Sequence, residues 1–267
     1  MLLNFLEEIE LFLAALIASL FGQGGGVLYT PIQLWNGQDF HEAASISLFL
    51  IMLTSFSATL IYRKSNKIDW LLALLFEIPT TLGAFIGGYL SHYISGTNLQ
   101  FVLSFLLLVA AYFIFFPPKE KKKHKSLASH SRWIIQHRKN EHSYSIDLRL
   151  LIPIALLTGA FTGMIGIGGG ILKLPVMLLI FDIPLPIAVG SSAFMVGITA
   201  SGGLLGHISQ NHFNWQQALL LAIPVFIGAL AGSYLSIRLH AAKLVKYFGV
   251  FLLAIAVYTA YRTFTHL

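Results

Sequence analysis

Cysteine is absent from the 267 residues, which excludes disulfides, thiolate metal sites and iron–sulfur clusters and leaves the redox compartment undetermined. Charge is scarce: Asp, Glu, Lys and Arg make up 10% of the chain against 56% hydrophobic residues. A soluble fold could not bury so much apolar sequence, so the composition indicates a polytopic membrane protein. The ten histidines show no HExxH or other metal-ligand spacing. No GxxxxGK[ST] occurs, and no strand precedes either glycine cluster, so nucleotide binding is rejected. Glu7, Glu8 and Glu10 precede the first apolar run where a cleavable signal would carry positive charge, so none is expected. The net charge of +6 is no nucleic-acid footprint, because eight basic residues fall within 119–139.

What the chain does hold is one unusual stretch twice. Gly22-Gln23-Gly24-Gly25-Gly26-Val27-Leu28-Tyr29-Thr30-Pro31 recurs 144 positions later as Gly166-Ile167-Gly168-Gly169-Gly170-Ile171-Leu172-Lys173-Leu174-Pro175. Ala44 and Ser47 match Ala188 and Ser191 at the same offset. One residue is then inserted, and Trp70, Ile78-Pro79, Gly83, Gly87 and Tyr89-Leu90-Ser91 match Trp215, Ile223-Pro224, Gly228, Gly232 and Tyr234-Leu235-Ser236 at 145. The chain is therefore an internal duplication: a first membrane repeat (1–116), a basic linker (117–147) and a second repeat (148–267).

Six stretches are long and apolar enough to cross a bilayer as helices: 43–62, 70–91, 99–116, 185–207, 215–237 and 244–261. The glycines split the remaining apolar sequence into shorter pieces, 9–21 with 27–35 and 148–165 with 171–181. Arg63, Lys64 and Lys67 lie in one connection of the first half, whereas the matching connection of the second, 209–214, has no basic residue. The next connection reverses this, with 95–98 uncharged and its counterpart carrying Arg238, Lys243 and Lys246. If basic loops face the cytoplasm, the second half is the first turned over. The expected fold is all-α, two inverted-topology repeats, each a re-entrant broken-helix hairpin plus three transmembrane helices. On this topology fifteen of the seventeen basic residues lie inside, leaving Lys173 and Arg262. The linker is cytoplasmic in a cell (inner) membrane and both termini are external. The linker reads as a solvated, topology-setting loop; its Trp133-Ile134-Ile135, flanked by Arg132, Arg138 and Lys139, could also lie along an anionic leaflet.

Two hairpins entering from opposite faces would bring their tips together near the midplane. Each tip begins a helix, and unpaired N–H groups with a positive dipole end form an anion site built from backbone. The candidate substrate-binding residues are Gln23, Gly24, Gly25 and Gly26 at the first tip, Gly168, Gly169 and Gly170 at the second, and the hydroxyls of Ser47, Ser191 and Ser192. Lys173, whose twin is Tyr29, is the one basic residue inside an apolar segment. Its side chain leans toward the tip, where a cation is unfavourable unless an anionic substrate or Glu77 answers it. Glu77, with Ala222 as twin, is the coupling candidate: a proton carrier or a charge partner. Pro31 and Pro175 deprive the carbonyls of Val27 and Ile171 of their helical partners, which leaves places for water or a coupling cation, proton or sodium. Plain helix packing remains the alternative for the glycine clusters, and it is the preferred reading for Gly83, Gly87, Gly228 and Gly232.

The duplicated GxGGGxLxxP, the Ala188-Val189-Gly190-Ser191-Ser192 that follows, and the polar turn ending in Trp70 or Trp215 resemble the sulfite exporter TauE/SafE family. The resemblance covers both halves and omits the linker, and Ala44-Ser45-Ile46-Ser47 departs from it. It implies a secondary transporter of small anions, with sulfite, sulfoacetate and other sulfur-containing organic anions as substrates and the two glycine motifs as the substrate region. The expected function is alternating access around a midplane anion site, without enzymatic activity, metal or cofactor. An anion channel or uniporter, or a carrier of small carboxylates, is the alternative.

Overall fold

The computed structural model describes residues 2–20, 26–63, 68–116, 132–139, 142–238 and 242–265. Gln23, Gly24 and Gly25 of the first tip lie outside the described residues. The first half comprises α1 (Leu2–Leu20), α2 (Gly26–Trp35), α3 (Phe40–Arg63), α4 (Trp70–Leu90) and α5 (Gly96–Phe115). A hairpin of β1 (Ile134–Lys139) and β2 (His142–Asp147) leads into the second half, α6 (Leu148–Ile165), α7 (Gly170–Leu179), α8 (Leu185–Ile208), α9 (Trp215–Arg238) and α10 (Ala242–Thr265).

Five of the described helices are long and apolar enough to cross a membrane, over Phe40–Ile61, Trp70–Tyr93, Gly96–Phe113, Leu148–Ile165 and Trp215–Leu235. The protein is an all-α polytopic membrane protein, with the small β-hairpin as its one non-helical element among the described residues. α6 is longer than a half-span, since 18 residues reach about 27 Å. α8 and α10, expected as spans, form as continuous 24-residue helices. Pro31 and Pro175 lie inside α2 and α7 without ending them.

The two halves interlock. α4 packs on α6 while α9 packs on α1, α3 packs on α8, and α5 packs on α10. The register repeats as well. A methyl built on Gly83 would lie 2.0 Å from the carbonyl oxygen of Leu156, and one on Gly87 would lie 2.0 Å from that of Ala160. Gly228 and Gly232 meet Phe12 and Leu16 in the same way, at 2.5 and 2.2 Å. Phe12 and Leu16 are 144 residues before Leu156 and Ala160, so the two crossings use equivalent positions of the duplication. At both, backbone approaches backbone too closely for any side chain.

Each hairpin closes on one end of the molecule. In the first, the Gln38 amide donates to Glu7 Oε1 (2.8 Å) and that of Asn36 to Glu10 Oε2 (3.1 Å). Asp39, His41, His92 and His212 occupy the same end, where Ser45 Oγ donates to the His212 carbonyl at 2.6 Å. His92 Nδ1 lies 3.1 Å from His212 Nε2, and the ring of His41 stacks on that of His212. Burial, and then the neighbouring His41 and His92, depress the His212 pKa below its usual value.

The second hairpin closes at the opposite end, around Asp69. Asp69 caps α4 by accepting from Leu72 N (3.3 Å), and its carboxylate also takes the Tyr144 hydroxyl (2.7 Å) and His137 Nε2 (3.2 Å). Burial and the adjacent Asp69 carboxylate raise the pKa of Tyr144, keeping its phenol a neutral donor. The expectation of a solvated loop thus differs from the structure for the described end of the linker. Tyr144 and Ile146 are buried beside Leu72, Phe76, Leu151 and Met177, while Ser143 and Ser145 face out. The alternation has the period of a half-buried strand. Trp133 also meets the helical region: the guanidinium of Arg149 lies 5.5 Å from its ring centre.

Candidate functional site

The second glycine turn reaches the place where the halves meet. α6 ends on Gly166, whose φ is +83°, and its N–H returns to the Thr162 carbonyl at 3.0 Å. Gly168 and Gly169 are also left-handed, with φ of +68° and +83°, and Gly169 precedes the first residue of α7. A methyl on Gly168 would touch Ile51 at 2.7 Å and Val196 at 3.4 Å. These two are equivalent residues, 145 apart on α3 and α8, so the turn sits between the matching faces of the repeats. Thr30 of α2 crosses to the same turn, donating its hydroxyl to the Gly166 carbonyl at 3.1 Å.

One side of this turn is polar. A methyl on Gly169 would lie 3.4 Å from Lys173 Cε and 3.4 Å from Thr162 Oγ1. Lys173 is 1% exposed and lies on the first turn of α7. Its ammonium donates to Glu77 Oε2 at 2.6 Å, to the Met195 carbonyl at 3.3 Å, and to the hydroxyl of Thr199. That hydroxyl in turn donates to Glu77 Oε1, which also accepts from Thr81 Oγ1 at 3.2 Å. All three N–H donors of the lysine are therefore engaged. The carboxylate supplies the negative charge that a cation at a helix N-terminus requires. Of the two roles open to Glu77, charge partner of Lys173 is the one this geometry displays.

The first half has no such pair. Tyr29, equivalent to Lys173, is fully buried beside Thr54, and Thr54 is itself equivalent to Thr199 at the 145 offset. Ala222 stands where Glu77 does. The pair thus joins the halves, Glu77 coming from α4 of the first and Lys173 from α7 of the second, and the equivalent position on α2 holds a phenol instead.

Gly168, Gly169, Gly170, Lys173 and Glu77 are thus brought together. Gly26 opens α2, and Gln23, Gly24 and Gly25 fall outside the described residues. The serines have other partners. Ser47 Oγ accepts from Gln33 Nε2 at 2.8 Å, and Ser191 Oγ accepts from the backbone N–H of Asp69 at 3.0 Å. Ser192 is buried next to Ser191 on α8. Thr81, Thr162 and Thr199 complete the polar cluster and were not singled out in the sequence, because isolated threonines hardly change the apolarity of a helix. The retained threonine at 54 and 199 was the available signal. Among the described residues no cluster of His, Cys, Asp and Glu is arranged to hold a metal ion.

Two substitutions separate backbone strain from crowding at the turn. Gly169→Ala adds a methyl with ordinary room but forces a left-handed conformation on it, and is expected to cost about 1–2 kcal/mol. Gly166→Ala would also place its methyl 2.5 Å from Ala44 Cα, so its loss should be larger. Thermal unfolding in detergent reads both; equal, negligible losses would mean that the turn is not held in this conformation.

Comparison with known proteins agrees with this architecture. The family described as Sulfite exporter TauE/SafE matches residues 10–259. The chain is 26% identical over 258 residues to the probable membrane transporter protein YunE of Bacillus subtilis, covering 94% of each chain. It is 26% identical over 252 residues to a probable membrane transporter protein of Xylella fastidiosa, covering 93% of this chain and 91% of that one. A probable membrane transporter protein, MJ0441, of Methanocaldococcus jannaschii is 33% identical over 128 residues, 46% of this chain and 48% of its own length. No solved structure matches. With the duplicated glycine motifs, the interlocked halves and a family match over nearly the whole length, the chain belongs to the sulfite exporter TauE/SafE family of membrane proteins.

Proposed function

We propose that this protein is a secondary transporter of small sulfur-containing anions, sulfite or an organosulfonate, working by alternating access around the second glycine turn. The observation that carries the reading is Lys173: a buried cation on the first turn of α7, beside the left-handed glycines, answered by one carboxylate. With every lysine donor engaged, an anion gains the ammonium by displacing Glu77. Protonation of Glu77 would release the lysine, which links proton uptake to anion binding.

The contacts at the two ends fit a carrier with both gates closed. Ser45 to His212 joins the halves at one end, and Asp69 to Ser191 joins them at the other. By the positive-inside rule the Asp69 end, with Arg63, Arg149 and the linker, faces the cytoplasm. The Asp39 end, with Glu7, Glu10 and both termini, faces outward. A small carboxylate is the second reading, favoured because Lys173, Thr199 and Thr81 already hold a carboxylate.

Flux into proteoliposomes decides between these, using sulfite, sulfate, sulfoacetate, taurine and small carboxylates with and without pH and sodium gradients. Saturable flux of a sulfur oxyanion driven by a pH gradient is expected. Selective carboxylate flux would favour the second reading. Flux that does not saturate, with unitary currents, would make the protein a channel, and indifference to every anion would remove the anion site.

A further inference from the structure

The other basic residue outside the cytoplasmic set, Arg262, lines a cavity of its own at the Asp39 end, by the end of α2 opposite Gly26. The cavity holds about 220 Å³ and is lined by Leu34, Trp35, Gln38, Gln100, Thr259 and Arg262. It lies between the last turn of α2, the first turns of α5 and the last turns of α10. At roughly 30 Å³ per water it has room for about seven waters, or a tetrahedral oxyanion with a few of them.

Its lining is polar in a particular way. Arg262 Nη1 donates to the Leu34 carbonyl at 3.2 Å. This holds the guanidinium at the cavity and uses one of its five N–H donors. Among the described residues it has no ion-pair partner. Glu7 and Glu10, the nearby acids of α1, accept from Gln38 and Asn36 instead. Three polar atoms of the lining residues are buried without a hydrogen-bond partner: Trp35 Nε1, Thr259 Oγ1 and Gln38 Oε1. Thr259 is itself only 4% exposed. The Trp35 ring is fixed edge-on against Tyr258, at 5.0 Å between centres. Buried polar atoms without partners are rare in folded proteins and call for an occupant.

We infer that this cavity is a second binding site, built for an oxyanion that carries one hydrogen-bond donor. The guanidinium, the indole N–H and the Thr259 hydroxyl would supply one positive charge and three donor groups to the anion's oxygens. Gln38 Oε1 accepts the ligand's own donor, since its amide nitrogen is already given to Glu7. A protonated free oxyanion such as bisulfite or hydrogen phosphate has this pattern. So does a phospholipid headgroup, whose phosphate is accompanied by a hydroxyl or an amine.

The test uses the full-length protein, purified and delipidated, and two substitutions. Trp35→Phe keeps the ring packing and removes the N–H, and Arg262→Gln removes the charge. Titration calorimetry with bisulfite and with inorganic phosphate probes the free source. Native mass spectrometry with phosphatidylglycerol, against diacylglycerol as control, probes the lipid source. Either probe binding the unsubstituted protein and weakening at least tenfold in both variants supports the site, and which probe does so identifies the source. If Arg262→Gln fails to fold, Trp35→Phe decides alone. The inference is overturned if neither probe binds, or if binding is the same in the variants. Because neither substitution touches the Lys173 pair, anion flux can fail while this binding persists, and the reverse.

Discussion

Lys173→Met is expected to abolish anion flux and to destabilise the protein by about 3–5 kcal/mol. That is the range for removing one partner of a buried ion pair and stranding the other. The loss would be visible as a lowered thermal midpoint in detergent, with flux in proteoliposomes falling at least a hundredfold. The double variant Lys173→Met/Glu77→Leu separates structure from transport, because replacing both charges by apolar groups of similar size is often neutral or stabilising. Its stability should recover while its flux does not. A double variant that transports normally would reduce the pair to a packing device. Glu77→Gln resembles the protonated carboxyl and leaves the lysine charged, so it should bind anion without the pH dependence of the unsubstituted protein. Unchanged pH dependence would remove Glu77 as the proton carrier.

Gly87→Val and Gly232→Val form the second large test. Their side chains would begin 2.0 Å from the Ala160 carbonyl oxygen and 2.2 Å from that of Leu16. Neither neighbour is a flexible side chain that could swing aside. Each substitution must separate a pair of helices belonging to different halves, at a cost above the ~1–3 kcal/mol of ordinary overpacking. The expected outcome is loss of folded, monodisperse protein for both, to a similar degree. Tolerance at one position alone would show that the two crossings are not equivalent. Gly37→Ala is the control: nothing lies within 4 Å of its new methyl, and its φ of +89° should limit the loss to backbone strain.

The helical membrane fold and its breaks were readable in advance because both leave periodic or repeated marks: apolar runs of spanning length, and glycines recurring at 144. Lys173 and Glu77 were readable for a related reason, each being a lone charge in apolar sequence. That they pair was not, because 96 residues separate them and only the packing of α4 against α6 and α8 brings them to one place. Ser47 and Ser191 show the limit of composition. A hydroxyl near a glycine turn looks available to a ligand, yet Gln33 and the Asp69 N–H hold these two. The β-hairpin escaped notice because the basic run before it dominates the linker's composition, and its alternation of Tyr144 and Ile146 with Ser143 and Ser145 is only two strides long.

α1 packs most extensively on α9, which begins 195 positions after α1 ends. At about 5–20 residues per second a ribosome needs roughly 10–40 s to supply that partner. Over that interval the nascent first half has neither α9 for α1 nor α6 for the glycine ridge of α4, and both surfaces must be occupied by lipid or by insertion factors. Neither repeat is then a folding unit in its own right. The native state forms when the second repeat arrives, and a chain truncated after the linker should be cleared by quality control rather than persist as half a carrier.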